Sequence, residues 1–588
     1  MPGILSRQRL SGAQPADGGT ETGTPFQETR ASEYSYLRAG YTWVRARLET
    51  GRSTDGITMN QKKQRFNPIV VALVVLLSGA TAGALFGERS VPDEETELMV
   101  RASRVVNLLL EWLPTEQDPA DIVYDGISGM LEVLDPHSNY LDPRTFYKMR
   151  SRQEGSFFGV GIIISRRNGK ITVIAPMAGT PAASKGLRTG DIISAVEGMA
   201  TEDLSLDDVV DMVRGPEGTT VKLTIDRPGL SDSFTVDITR TRIPQTTVRY
   251  AFMVRPEVGY IRLSEFTSSS SREVHEAIDR LESEGMKSLI FDLRNNPGGS
   301  LDAAIGVSDA FLAEGDLIVT TRGRTSSSHT TLAAPGHEEP FKGPLLILVN
   351  EGSASASEIV AGAVQDHDRG LVLGDITWGK GLVQTVFTVR DTGLALTTAR
   401  YYTPSGRSIQ RDYDSFIDYI THRNGNHDSD GGDIYETDAG RTVLGGGGIT
   451  PDVVLSSRTL SENLARLYGN SAFFRFGVEL LEDTPEDEQA AFGRAFVVDE
   501  EVLNRFWIWL GEREVLPEGH LEELKSTPQD VSDVTLGIQV EVLNATLGLD
   551  DGYRTALNTD DQFLATLDRL EEAEDFWIVW QEANGDNS

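Results

Sequence analysis

The 588-residue sequence has no cysteine, which excludes disulfides, thiolate metal sites and a cysteine nucleophile together. Any covalent chemistry must use another group. Histidine is scarce: His137, His275, His329, His337, His367, His422, His427 and His520 are all there are, and none sits in a motif that marks a catalytic base. Positive charge is short as well, with 54 Lys and Arg against 89 Asp and Glu and a formal net charge of −35. Such a surface repels phosphate backbones and anionic lipid, which argues against nucleic acid or a polybasic membrane patch as partner. Aromatic residues are only 7% of the chain, yet 39% is hydrophobic, a globular composition, and 58 glycines bring many turns. The length exceeds one ordinary core, so several domains are expected.

Residues 1–58 are rich in Gly, Thr, Ser and Arg and lack apolar periodicity, which reads as a disordered segment or a wrongly assigned extension, with Met59 a natural start. Lys62, Lys63 and Arg65 then precede an uncharged run from Asn67 to Gly87, long enough to span a bilayer as a helix. The positive flank would stay cytoplasmic and the rest be exported. The "AGA" at Ala82 to Ala84 also suits a cleavable signal. Residues 59–90 are thus a signal sequence or transmembrane anchor, and both readings put the functional part outside the cytoplasm, on the periplasmic face, anchored in the inner membrane through 67–87 if uncleaved. A buried core helix would leave the basic cluster unexplained.

From 91 to 150 the pattern is helical, with Leu98, Val105, Leu109 and Trp112 at helical intervals before "LDPHSNYLDP" breaks it. Residues 151–243 change to short β-rich runs with Asn-Gly and Gly-Asp turns. Within them "SLDDVVDMVRG" places Leu206, Val209, Val210 and Val213 on one helical face, and "TVKLTIDR" alternates as a strand. From Thr246 the runs "VGYIRLSEF", "SLIFDLRN", "DLIVTT", "PLLILVN" and "GLVLG" alternate with helical stretches such as "SREVHEAIDRLESEG" and "SASEIVAGAVQDH", which indicates α/β layers. Chemistry in such sheets collects where strands end and helices begin, and "DLRNNPGGS" and "NEGSASASE" are two such places. From 456 to 588 the chain is acidic and helical.

In "NEGSASASEIVAGA", Ser355 and Glu358 form an S-x-x-E capping box, but a small-residue strand-to-helix turn also aims free amides at developing negative charge. A serine needs a base to become a nucleophile. A lysine can serve if burial lowers its pKa from about 10.4 toward 7, and "GDITWGKGLVQT" supplies Lys380 between two glycines beside Trp378. Gly374, Gly379 and Lys380 also fit the start of a phosphate-binding loop, but Gly381 replaces the required Ser or Thr and a strand rather than a helix follows, so that reading fails.

The order of a Gly-x-Gly turn, a strand and a later amphipathic helix over 151–243 resembles a PDZ domain. The resemblance implies that "FGVGI", Phe158, Gly159, Val160, Gly161 and Ile162, receives the terminal carboxylate of a peptide added as an extra strand. Further on, "DLRNNPGGS", "NEGSASASE", "GDITWGKGLVQT", "YYTPSGRSIQ" and "GGGGITPD" occur in the order seen in the C-terminal processing peptidases, or tail-specific proteases, a likeness covering residues 95–455. That family uses the middle serine of its S/T-A-S-A-S run and a lysine 25 positions later; Ser355 and Lys380 match this spacing, and Gln384 matches the third member, which orients the lysine. The resemblance implies an oxyanion hole made by the N–H of Ala356 and one from Gly298 or Gly299. It implies no metal and no cofactor.

The expected fold class is therefore α/β multidomain: a PDZ-like β-domain between an N-terminal helical region and an α/β serine peptidase core at 244–455, plus a helical C-terminal appendage. Expected partners are proteins or peptides with an apolar C-terminus, whose binding to the PDZ domain brings a poorly aligned dyad into register in the family. Residues 411–447 look inserted relative to that family, and "DSDGGD" within them lacks the closing glutamate of a calcium loop. Trp507, Trp509, Trp577 and Trp580 either pack the helical appendage or form an adaptor or oligomer contact. The function implied is a serine endopeptidase acting in the C-terminal region of proteins; the alternative is a catalytically silent PDZ scaffold.

Overall fold

The computed structural model describes residues 93–588 except 116, 337–338, 412–432, 457, 483 and 585–588. The readings of 1–58 as an extension and of 59–90 as signal or anchor lie outside these residues, as does most of "DSDGGD". Among the described residues no helix is long and apolar enough to cross a membrane. The chain divides into two units, Met1–Ser103 and Arg104–Ser588; of the first, only the beginning of helix α1 (Asp93–Trp112) is described. Val105, Leu109 and Trp112 of α1 are exposed, so its helical periodicity does not correspond to a buried stripe. Helix α2 (Pro119–Leu131) is capped by Asp118 and begins with proline, the arrangement that satisfies first-turn amides without needing the missing N–H. Strand β1 (Asn139–Leu141) and helix α3 (Pro143–Gln153) follow.

The small β-domain opens with strands β2 (Ser156–Gly159), β3 (Ile162–Arg167), β4 (Lys170–Pro176) and β5 (Ile192–Val196). Helix α4 (Leu206–Val213) has a complete capping box between Ser205 and Asp208, and turns Val209 and Val213 into the core. Strands β6 (Thr220–Asp226), β7 (Phe234–Thr239) and β8 (Thr241–Pro244) complete it. The sheet runs β3-β4-β5-β6-β7, leaving β3 at an edge, while β2 pairs separately with β8. Ile171, Val173, Ile193, Leu223, Ile225 and Ile238 form its core with Val209.

The main sheet is built from β9 (Val248–Arg255), β10 (Val258–Leu263), β11 (Ser288–Asp292), β14 (Leu345–Val349), β15 (Leu371–Gly374) and β18 (Val453–Val454), in that order. β9 is antiparallel to β10, and the remaining pairs are parallel. All five residues of β14 are buried, as expected of a strand covered on both faces. One face packs on helices α5 (Ser270–Ser283), α6 (Leu301–Asp309) and α7 (Ala356–Asp366). The "DLIVTT" run leaves this layer: as β12 (Leu317–Gly323) it joins a second, antiparallel sheet with β13 (Thr330–Ala333), β16 (Leu382–Val389), β17 (Thr392–Tyr402) and β1. The described residues of 411–447 include a small hairpin, Ile434–Glu436 with Thr442–Leu444.

The C-terminal region is helical and divides in two. Helices α8 (Glu462–Gly469), α9 (Ala472–Leu480), α10 (Glu500–Glu512) and α11 (Pro528–Thr546) enclose their own core around Phe473, Phe476, Phe506 and Trp509. Helices α12 (Leu549–Leu557), α13 (Asp561–Leu567) and α14 (Leu570–Asn584) instead cover the second face of the main sheet, where Leu557, Phe563 and Ala573 meet Tyr260, Ile290, Leu346 and Leu373. The four tryptophans pack inward: Trp507 and Trp509 on the helical core, and Trp577 and Trp580 stacked together beside the buried guanidinium of Arg369.

Candidate active site

The parallel strands β11, β14 and β15 end side by side, and the segments leaving them hold Ser355, Lys380 and the oxyanion-hole candidates, with Gln384 just inside β16. In the turn after β14 the three serines have different fates. Ser353 Oγ donates to Leu293 O at 2.8 Å and accepts from Asn350 N at 2.9 Å. Ser357 Oγ donates to Asn296 O at 2.9 Å. Both are fully buried and stitch the turn to the segment after β11. Ser355 alone is partly exposed. It enters α7 with φ 57 and ψ −113, a backbone state costing about 1–3 kcal/mol that persists where surrounding bonds over-determine it. Its Oγ lies 2.8 Å from the Tyr401 hydroxyl.

Asn296 supplies much of that over-determination. It is fully buried; its O accepts from Ala354 N at 3.0 Å, its Oδ1 from Gly298 N at 2.9 Å, and its Nδ2 donates to Leu263 O at 2.9 Å. Gly298, at φ 93, runs so close to the serine turn that a Cβ would sit 2.6 Å from Ala354 O and 2.8 Å from Ala356 N, so only glycine fits. With the Gly298 N–H taken by Asn296, the N–H groups of Gly299 and Ala356 find no acceptor among the described residues.

The lysine segment is tied to the serine turn through Glu358, which is fully buried. Its Oε2 accepts from both Ser355 N at 2.8 Å and Lys380 N at 2.9 Å, and its Oε1 from Thr377 Oγ1 at 2.5 Å and Gly379 N at 2.7 Å. Burial pushes the carboxyl up in pKa, against the pull of those four donors. Trp378 N adds a bond to Ser353 O at 2.9 Å. Beyond Gly381 the chain enters β16, so the strand that excluded a phosphate loop is present.

Lys380 Nζ donates to Gln384 Oε1 at 3.0 Å, and Gln384 Nε2 donates to His137 O at 2.6 Å. The backbone of the "LDPHSNYL" turn thus orients the glutamine amide so that its oxygen faces the amine. Burial lowers the Lys380 pKa, with the Glu358 carboxylate pulling the other way. The His137 imidazole, itself desolvated and near Lys380, is pushed down to about 4. Among the described residues no hydrogen bond joins Ser355 Oγ to Lys380 Nζ; each is held by its own partner, Tyr401 or Gln384.

In the β-domain, Phe158 and Gly159 end β2, Ile162 begins β3, and Val160 and Gly161 form the turn between them. Val160 O accepts from Ala182 N at 2.9 Å and Gly161 O from Met177 N at 3.0 Å. Gly161, at φ 78, has Thr180 where its Cβ would go. The N–H groups of Val160 and Gly161 have no acceptor among the described residues, which leaves two donors available at the head of the edge strand β3.

Sequence reasoning missed Tyr401 and the backbone oxygen of His137. Both lie within sequence motifs, but the contacts come from long-range pairing: β1 on β17 brings His137 O to Gln384, and the β16–β17 hairpin, in which Tyr401 N donates to Gly381 O at 2.9 Å, returns Tyr401 to Ser355. The S-x-x-E spacing predicts Glu358 as a helix cap, which it is, and its role extends to the lysine segment.

Residues 257–415 match peptidase family S41, and residues 172–227 match the PDZ domain. The chain is 42% identical over 301 residues to the carboxy-terminal-processing protease of Bartonella bacilliformis, covering 50% of this chain and 69% of that one. It is 35% identical over 381 residues to the carboxyl-terminal-processing protease of a Synechocystis species, covering 60% and 87%. Among solved structures, the photosystem II D1 C-terminal processing protease matches at 30% identity over 59% of this chain and 85% of its own, with a TM-score of 0.32. With its PDZ domain preceding an S41 core, the chain belongs to the carboxy-terminal-processing proteases and is a serine-type peptidase.

Proposed function

We propose that this peptidase is an exported endopeptidase that holds the apolar C-terminus of a protein substrate in its PDZ domain and cleaves the chain upstream with Ser355 as nucleophile and Lys380 as base. The observation that carries this reading is the shared Glu358 oxygen: Ser355 N and Lys380 N donate to one buried carboxylate, which brings the two backbones together. Gln384 holds the amine, and burial favours its neutral form.

In the reaction, neutral Lys380 takes the Ser355 proton as Oγ attacks the scissile carbonyl, and the tetrahedral oxyanion forms. The free N–H groups of Ala356 and Gly299 are the donors we assign to it, Gly298 N being engaged by Asn296. Lys380 returns the proton to the leaving amine, which departs as the C–N bond breaks. Water then adds to the ester, giving its proton to Lys380, and the Ser355 oxygen leaves with that proton. Before the first step Ser355 Oγ must exchange Tyr401 for Lys380, a side-chain rotation that substrate engagement at the PDZ domain would favour. At that domain the Val160 and Gly161 N–H groups receive the substrate's terminal carboxylate while its last residues pair with β3. The export reading rests on the basic-then-apolar segment at 62–87, and the inner-membrane anchor is the form it takes if that segment is uncleaved. The silent-scaffold alternative accounts for the peptide-holding domain but not for a buried lysine and its ordered glutamine.

The test is hydrolysis of an unstructured protein ending in apolar residues by the wild type, Ser355→Ala and Lys380→Ala. Cleavage by the wild type alone is expected, with loss on masking the substrate's C-terminus as an amide. Equal cleavage by all three proteins would remove the dyad assignment.

A further inference from the structure

The C-terminal region makes one polar contact with the catalytic core that the mechanism above does not use. Gln562, in the first turn of α13, is 5% exposed. Its Oε1 accepts from Arg294 Nη1 at 3.2 Å, and its Nε2 donates to Asp375 Oδ2 at 2.9 Å and Leu455 O at 2.6 Å. Both hydrogens and the oxygen of the amide are thereby used. Reversing it would set the NH2 against a guanidinium and the oxygen against a carboxylate, so its orientation is fixed.

The partners occupy meaningful positions. Arg294 immediately precedes the Asn295 to Gly299 segment that approaches Ser355, and Asp375 opens the segment that leads to Lys380. Arg294 is further fastened to the fully buried Asp292 at the end of β11 by Nε and Nη2, and to Asp560 by Nη1 at 3.0 Å. Burial would raise the Asp292 carboxyl, but the Arg294 and Arg262 guanidinium groups outweigh it and hold its pKa low. Asp375 N is bonded to Val349 O at 3.1 Å, so its backbone lies beside the end of β14. One amide from outside the peptidase core therefore links the roots of both catalytic segments.

Phe563 and Leu567 also pack α13 on the sheet through apolar contacts. A buried amide is costly unless its polar atoms are paired, and here the partners all belong to the peptidase core, so pairing the amide also ties those segments to one another. A cavity of about 370 Å³ lies alongside it, lined by Arg294, Asn295, Asn350, Tyr553 and Gln562. On that side the segment after β11 borders open space rather than close-packed side chains.

We propose that Gln562 is a positioning residue, through which the C-terminal helices set the spacing of the oxyanion-side and lysine segments. This rests on the reading of Gly299 and Lys380 above. Gln562→Leu keeps the volume and removes the bridge. The expected result is a fall in kcat of about tenfold, as for a small misplacement of reacting groups, with KM within twofold of wild type. Leu557→Ala, which loosens the same helices on the same sheet face without touching the amide, is expected to lower Tm and leave kcat within twofold. Independently of turnover, hydrogen exchange in the Ser355→Ala background should speed up in residues 295–299 and 375–381 on adding Gln562→Leu. A kcat within twofold of wild type overturns the proposal, as does an equal fall in kcat with Leu557→Ala. Should the wild type cleave nothing, the proposed function fails, and exchange alone decides for Gln562: faster in both segments supports the bridge, unchanged in either overturns it.

Discussion

The turns around Ser355 and the helical bundle at 460–546 are both well buried, but they are held by opposite means. Around Ser355 the interior is polar: Asn296, Ser353, Ser357 and Glu358 are all fully buried and hydrogen-bonded. In the bundle, Phe506 stacks on Phe473 at 5.5 Å and meets Phe476 edge-on at 5.0 Å, with Val534, Ile538 and Val542 completing the core. Directional bonds fix atoms in place and are costly if left half-made, whereas apolar contacts lower free energy without dictating a single geometry. Substitutions in the first region should therefore register in catalysis and those in the second in stability.

The largest contrast is expected between Ser355→Ala and Phe506→Ala. The first should reduce peptide hydrolysis by at least about 10⁴-fold, above about 5 kcal/mol of activation free energy, with denaturant unfolding nearly unchanged. The second should cost about 3–5 kcal/mol of stability, with kcat per folded molecule unchanged. Comparable loss of kcat in both, measured well below the Tm, would erase the distinction. Next in size is Glu358→Gln, which keeps an acceptor but turns an NH2 toward backbone donors. A drop of about 10²-fold in kcat is expected, because the shared oxygen between Ser355 N and Lys380 N is disturbed.

The pH profile sharpens the same comparison within the core. With Lys380 as the proposed base, only its neutral amine can accept the serine proton, so kcat/KM should fall as pH drops through the Lys380 pKa. Burial lowers that pKa, so the inflection should lie below the ordinary lysine range. The His137 imidazole, pushed down to about 4, stays neutral above that value and should add no inflection near 6.5. An inflection at an unshifted lysine value would contradict the burial argument.

These two regions also differed in how far they could be read from sequence. Strand "LLILV" announces burial on both faces, and the S-x-x-E spacing before α7 announces a helix start; both are local patterns with one structural solution. What covers the second face of β14 is not local. The answer lies more than 200 residues later in α12 to α14, whose Leu557 and Phe563 could equally have packed on the bundle. Within the site, spacing and family resemblance pointed to Ser355 and Lys380, but the acceptors that hold them did not follow from spacing. His137 O reaches Gln384 because β1 pairs with β17, and Tyr401 reaches Ser355 because the β16–β17 hairpin returns it to the lysine segment. Long-range strand pairing sets both contacts. "DLIVTT" shows the same limit: its apolar run identifies a strand, yet sheet membership is decided by pairing with β17.

The smallest effect expected is also the most informative about the resting core. Tyr401 is 4% exposed and its ring belongs to the main apolar cluster, so Tyr401→Phe preserves packing and removes only the hydroxyl beside Ser355 Oγ. A neutral hydrogen bond contributes about 0.5–1.5 kcal/mol, which limits the change in rate to roughly tenfold or less. If that bond holds the serine away from Lys380, its loss should raise the rate at which a small serine-directed acylating reagent modifies Ser355 in the absence of any PDZ-bound peptide. Saturating the PDZ domain with an apolar C-terminal peptide should then narrow the gap between variant and wild type, because the wild-type serine will already have exchanged partners. A slower reaction in Tyr401→Phe under both conditions would instead assign the tyrosine to orienting the nucleophile for attack, and the polar interior of the core would be a device for alignment at rest as well as in turnover.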